Sequence, residues 1–106
     1  MSKSRTTTKG KLPLVLPGEV LADALMEAKV APNSAAIAMG VPANRLHGII
    51  HGQRAITADT AMRLARYFGT TAEVWMNLQT NYELAKAKEK LSDRVTAEVR
   101  PLTMIA

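Results

Sequence analysis

The sequence predicts an all-α chain of five helices, with a helix-turn-helix at its centre and a long helix towards its C-terminus. Three observations predict this. Aromatic residues make up 4% of the 106 residues, and Ala, Leu and Met supply most of the apolar content, a balance that favours helices over a β-sandwich. Apolar residues recur at three- and four-residue spacing, in stretches opened by Pro17, Pro32, Thr57 and Thr70 and closed by Gly40, Gly52 and Gly69, as helix start and stop signals should. Finally, Ala36, Gly40, Val41, Leu46 and Ile49, within Asn33–Arg54, keep the spacing of a helix-turn-helix.

Residues 1–16 hold Lys3, Arg5, Lys9 and Lys11 and no acid. They read as a basic flexible arm, either laid along a nucleic-acid backbone or groove or simply a frayed terminus. The first helix opens at Pro17-Gly18-Glu19, with Pro in the first turn and Glu19 where the helix dipole favours an acid. Val20, Leu21, Leu25 and Ala28 form its apolar stripe, and it ends near Lys29-Val30. The second helix opens at Pro32-Asn33, and Ala35, Ala36 and Ala38 supply small residues where two helices cross. Gly40 takes the left-handed turn conformation at low cost. The third helix runs from about Pro42 to His51, with Val41, Leu46, Ile49 and Ile50 inward.

A polar loop, Gly52 to Ile56, follows. Thr57 is the expected N-cap of the fourth helix, with Asp59 in its first turn. That helix runs from Ala58 to Phe68, with Ala61, Leu64, Ala65 and Phe68 inward. The fifth opens at Thr70, which has capping-box spacing to Glu73, and continues to about Leu91. At ~20 residues it would span ~30 Å, more than its own core needs. Residues 17–91 thus read as a DNA-binding domain ending in a dimerisation helix, with Trp75, Leu78 and Tyr82 as the pairing residues. For Trp75 the preferred reading is instead that it closes the core between the first, fourth and fifth helices. Residues 92–106 form a tail in which Arg94–Val99 suits either a helix or a short strand.

The formal net charge is +5, and it is unevenly placed. Residues 28–58 hold Lys29, Arg45 and Arg54 but no acid, as a surface that meets phosphate should. Double-stranded DNA is therefore the expected partner of the third helix, whose outward residues are Ala43, Asn44, Arg45, His47 and Gly48. A guanidinium at Arg45 matches guanine O6 and N7, and the Asn44 amide matches adenine N6 and N7. Ala43 allows close approach or packs on a thymine methyl, and Gly48 lets the helix lie near the groove floor. A phosphate role for Arg45 and a capping role for Asn44 stand beside these. Gln53 and Arg54 are placed for phosphate, which positions without specifying sequence. His47 faces DNA, and His51 meets phosphate or caps the helix. Arg63 and Arg66 read as solvated or paired with acids.

Other functions are disfavoured. There is no cysteine, hence no disulfide or thiolate metal site. His47 and His51 stand four apart, but Gly48 occupies the place where a zinc-protease motif needs Glu, so no metal and no cofactor are expected. No nucleophile, base and orienting group come together, so the chain is not expected to be an enzyme. The basic start lacks a signal-peptide apolar run, and no segment approaches the ~18 apolar residues of a membrane helix. The expected location is cytoplasmic, without a membrane partner.

Three runs resemble a known family: PGEVLADAL at Pro17–Leu25, GVPANRLHGIIHGQRAIT at Gly40–Thr57, and ADTAMRLARYFGTTAEVWMNLQTNYEL at Ala58–Leu84. Together they resemble the HigA-type antitoxins, also called VapI-like, of the XRE (Cro/lambda-repressor-like) helix-turn-helix superfamily. RLARYFGT followed by WMNLQ is the most specific part. The resemblance implies a lambda-repressor-like helix-turn-helix domain. It also implies a cytoplasmic antitoxin of a HigBA-type toxin-antitoxin system. Such a protein neutralises a HigB-like, RelE-like mRNA-cleaving toxin. It also binds an operator in its own promoter as a homodimer and represses transcription. The alternative is a stand-alone XRE-family transcriptional regulator without a toxin. Related proteins often place Gln at the start of the second helix to bond phosphate. Pro32 stands there in this chain, which leaves Asn33, Ser34 or the bare helix N-terminus to make that contact.

Overall fold

The computed structural model describes residues 14–103. Residues 1–13 of the expected arm and 104–106 of the expected tail lie outside the described residues. Five helices follow in order: α1 Pro17–Ala28, α2 Pro32–Met39, α3 Ala43–Ile50, α4 Ala58–Phe68 and α5 Ala72–Glu98. No strand occurs among the described residues.

The punctuation explains most boundaries. Pro17 and Pro32 open α1 and α2, and Gly40 and Gly69 close α2 and α4 in the left-handed conformation, which costs glycine little. Thr57 caps α4 through the Thr60 N–H, 3.4 Å away. At α5 the expected cap is displaced by one residue. Thr71 accepts from the Val74 N–H at 3.2 Å. The Thr70 hydroxyl instead accepts the Trp75 indole N–H at 2.8 Å.

The core gathers Leu21 and Leu25 of α1, Ala35, Ala36 and Met39 of α2, Leu46 and Ile49 of α3, Ala61 and Leu64 of α4, and Trp75 of α5. Ala28 and Ala38, expected inward, are exposed. Ile56, expected in a polar loop, is 2% exposed. Its N–H donates to Gln79 Oε1 at 2.9 Å, and Gln79 Nε2 donates to Glu83 Oε2 at 2.8 Å. A buried amide on α5 thereby satisfies the one backbone donor that sinks with Ile56, as a buried donor requires.

The helix α5 continues to Glu98, past the expected end near Leu91, and Arg94–Val99 is not a strand. Arg94 and Glu98, 3.2 Å apart, form an i,i+4 pair within the last turns. At 27 residues the helix is ~40 Å long, and from Lys88 onward every described residue is exposed. The residues expected at the pairing surface lie on its core side. Trp75 is 4% exposed and sits in the protein's own core, and Leu78 packs beside that core. Tyr82 is half-buried. Besides Val74 in its first turn, the apolar side chains that α5 leaves open are Leu84, Leu91 and Val95. At ~100° per residue these three fall within ~20° of Leu84, on the side of α5 opposite Trp75.

Candidate nucleic-acid interface

The helix-turn-helix is α2, the turn at Gly40, and α3. Gly40 has φ 69°, and the Val41 N–H closes the turn on the Ala36 carbonyl at 2.9 Å. Carbonyls at the end of α2 receive an outside partner. Arg63 of α4 donates from Nη1 to the Met39 oxygen at 3.0 Å, and from Nε to Asp59 at 3.1 Å. Arg63, read from sequence as solvated or paired with an acid, is thus both ion-paired and a clamp on the turn.

With Leu46 and Ile49 buried, the remaining residues of α3 are sorted by angle. Ala43, Asn44, His47 and His51 occupy an arc of ~100° on the opposite side, and Ala43 and Asn44 are exposed. His47 Nε2 donates to Asn33 Oδ1 at 3.1 Å, tying the start of α2 to the outward face of α3. His51 folds back onto the end of α3, its Nδ1 donating to the His47 carbonyl at 2.9 Å. Its ring stacks on that of His47 at 6.2 Å. Asn33 and Ser34 are exposed. Their backbone N–H groups lie in the first turn of α2, where no intrahelical acceptor is available and an anion is favoured.

Two residues depart from their expected placement. Gly48 does not open onto the outward face. It is buried, and a Cβ there would lie 2.8 Å from Cγ and Cδ of Arg54. The Gln53 and Arg54 N–H groups both bond the Gly48 carbonyl, at 2.7 and 3.1 Å. The missing side chain therefore lets Arg54 cross α3, leaving Gln53 and Arg54 exposed beside its C-terminal end. Arg45 stands ~100° round the helix from Asn44, on the α4 flank, with Nη1 3.6 Å from Asp59 Oδ2. The sequence alone marks neither Asp59 nor Arg63 as a site residue. The i,i+4 spacing of Asp59 and Arg63 was available as a signal, whereas the contact to Arg45 was not.

The chain is 40% identical over 82 residues to virulence-associated protein I of Dichelobacter nodosus, a match spanning 76% of each protein. A HigA-family addiction module antidote protein from Coxiella burnetii superposes with a TM-score of 0.81 at 42% identity, covering 86% of this chain and 100% of that one. The chain belongs to the HigA/VapI-like antitoxin family. A HigA antitoxin of Pseudomonas aeruginosa, solved with the higBA promoter, is similar at 43% identity and a TM-score of 0.81, covering 85% of this chain and 99% of that one. No family model matches the chain. HigA-type proteins are helix-turn-helix antitoxins and regulators, so this chain is not an enzyme. Among the described residues no group of three His, Cys, Asp or Glu could hold a metal ion, and no helix is long and apolar enough to cross a membrane.

Proposed function

We propose that this chain is a cytoplasmic antitoxin and autorepressor: it binds double-stranded operator DNA in its own promoter as a homodimer and neutralises a HigB-like, RelE-like toxin. The observation that carries the DNA reading is the exposed Ala43–Asn44 edge of α3, latched to the start of α2 by His47 and Asn33. That edge is small and polar. It stands beside two first-turn amides and is followed by the exposed Gln53 and Arg54, which together supply base-reading and phosphate-holding groups. The Pseudomonas relative solved with its promoter supports the same reading.

A mobility-shift titration on the protein's own upstream DNA tests it. Asn44→Asp keeps the side-chain shape but places a carboxylate against base edges and phosphates. It is expected to weaken operator binding about five- to 150-fold, from a loss of ~1–3 kcal/mol, with an unchanged thermal midpoint because Asn44 is exposed. Equal binding by variant and wild type across a salt series would remove α3 from the interface.

Self-pairing is supported by the open Leu84–Leu91–Val95 stripe and by the two-fold half-sites that paired helix-turn-helix domains read, ~34 Å apart. Wild type is expected to sediment as a dimer at micromolar concentration and Leu91→Glu as a monomer. A monomeric wild type would end the pairing proposal. Co-expression with a small basic ribonuclease-like frame from the neighbouring gene tests the toxin. If no such frame exists, or no complex co-purifies, the stand-alone regulator is the better reading.

A further inference from the structure

A recognition helix with a free arginine at its edge faces a physical conflict. A mobile guanidinium pairs with any phosphate, so it adds affinity without regard to sequence. In this chain Arg45 is the only Arg or Lys of α3, and it is not left free. Asp59, in the first turn of α4, lies 3.6 Å from Arg45 Nη1. Both oxygens of the same carboxylate accept from Arg63 Nε, at 3.1 and 3.3 Å. Arg63 is anchored in turn on the Met39 carbonyl at 3.0 Å. The carboxylate is therefore the middle of a chain fixed to the helix-turn-helix turn, with Arg45 at its other end. The contact to Arg45 is also the longest of these and the one without a hydrogen bond, so it is the link that yields first. Asp59 is also the first acid after the acid-free residues 28–58.

Building on the DNA reading above, we infer that Asp59 is a positioning residue that sets specificity. It holds the Arg45 guanidinium on the α4 flank and withholds it from sequence-blind phosphate contacts, leaving discrimination to the Ala43–Asn44 edge.

The experiment measures binding of wild type, Asp59→Asn, Asp59→Glu, Arg45→Ala and Arg45→Ala/Asp59→Asn to the protein's upstream DNA and to a random duplex, over a salt series. Asp59→Asn should bind the random duplex about three- to tenfold more tightly, with the slope of log affinity against log salt steeper by about 0.9, one extra phosphate contact. Operator affinity should rise less, so the ratio of specific to non-specific binding falls. Asp59→Glu keeps the charge and should keep most of the ratio. In the Arg45→Ala background, Asp59→Asn should have no further effect. Three results would overturn the role of Asp59: an unchanged ratio and slope in Asp59→Asn, a ratio lost equally in Asp59→Glu, or an Asp59→Asn effect that persists without Arg45. The last would mean that the carboxylate acts through the general field or by holding Arg63. A wild type that does not distinguish its upstream DNA from the random duplex would instead overturn the DNA reading itself, and this inference with it.

Discussion

Gly18→Ala is expected to lower the thermal midpoint by about 4–24 °C and to abolish operator binding well below the melting temperature. Helix propensity alone predicts the opposite sign, since Ala stabilises a helix by up to ~1 kcal/mol over Gly. Packing decides otherwise. The first turn of α1 lies directly against the end of α3, backbone to backbone. An added Cβ at Gly18 would fall 2.5 Å from the Ile50 carbonyl oxygen and 2.8 Å from its carbon, with the Ile49 oxygen closer still. These atoms have no rotamer to change, so one helix must move. Overpacking of this kind costs ~1–3 kcal/mol or more, and each kcal/mol is ~4–8 °C in a domain of this size. Ile49 and Ile50 end α3, so any shift of α1 is passed to the face proposed to read DNA. Circular dichroism melts and a mobility shift on the same preparation check both halves. An unchanged midpoint would show that α1 can slide without loss.

Trp75→Ala should cost ~3–5 kcal/mol of folding free energy, the range for truncating a buried large aromatic residue. The indole is 4% exposed, its ring sits 5.7 Å from that of Phe68, and its N–H satisfies the Thr70 hydroxyl at 2.8 Å. A small domain holds only ~5–15 kcal/mol in total, so the variant is expected to be partly unfolded at 37 °C. Trp75→Phe should recover most of the loss, because it fills much of the volume and forfeits one hydrogen bond of ~1 kcal/mol. Urea titrations at several protein concentrations separate a core role from a pairing role. A core residue costs the same at every concentration. A loss that grows on dilution would return Trp75 to the partner surface.

The helix count, most boundaries and the position of the turn were legible because they rest on local chemistry. Proline at a first turn, threonine at a cap and glycine after the last turn each act within four residues of themselves. The buried face of α3 was legible for the same reason, since Leu46 and Ile49 repeat at helical spacing. The displaced cap of α5 shows where this reading fails. Thr70 and Thr71 offer the same hydroxyl, and the choice fell to Trp75, whose indole took the first and left the second to the helix. Ile56 reads as polar-loop sequence because nothing within the loop reveals that Gln79, 23 residues on, supplies an acceptor for its N–H.

By itself, the sequence determined the all-α class, the helix-turn-helix and the buried face of its third helix, since each follows from periodicity and from short-range backbone preferences. Only the tertiary structure decided how the remaining side chains are partnered. It placed Gly48 beneath Arg54, tied His47 to Asn33, turned Trp75 into the core, and set Asp59 and Arg63 between Arg45 and the turn. Each of these depends on how close two elements come when they pack. A one-dimensional pattern of hydrophobic and charged residues carries no record of that distance: a cation at the edge of a helix reads the same whether it waits for a phosphate or is already held by a carboxylate.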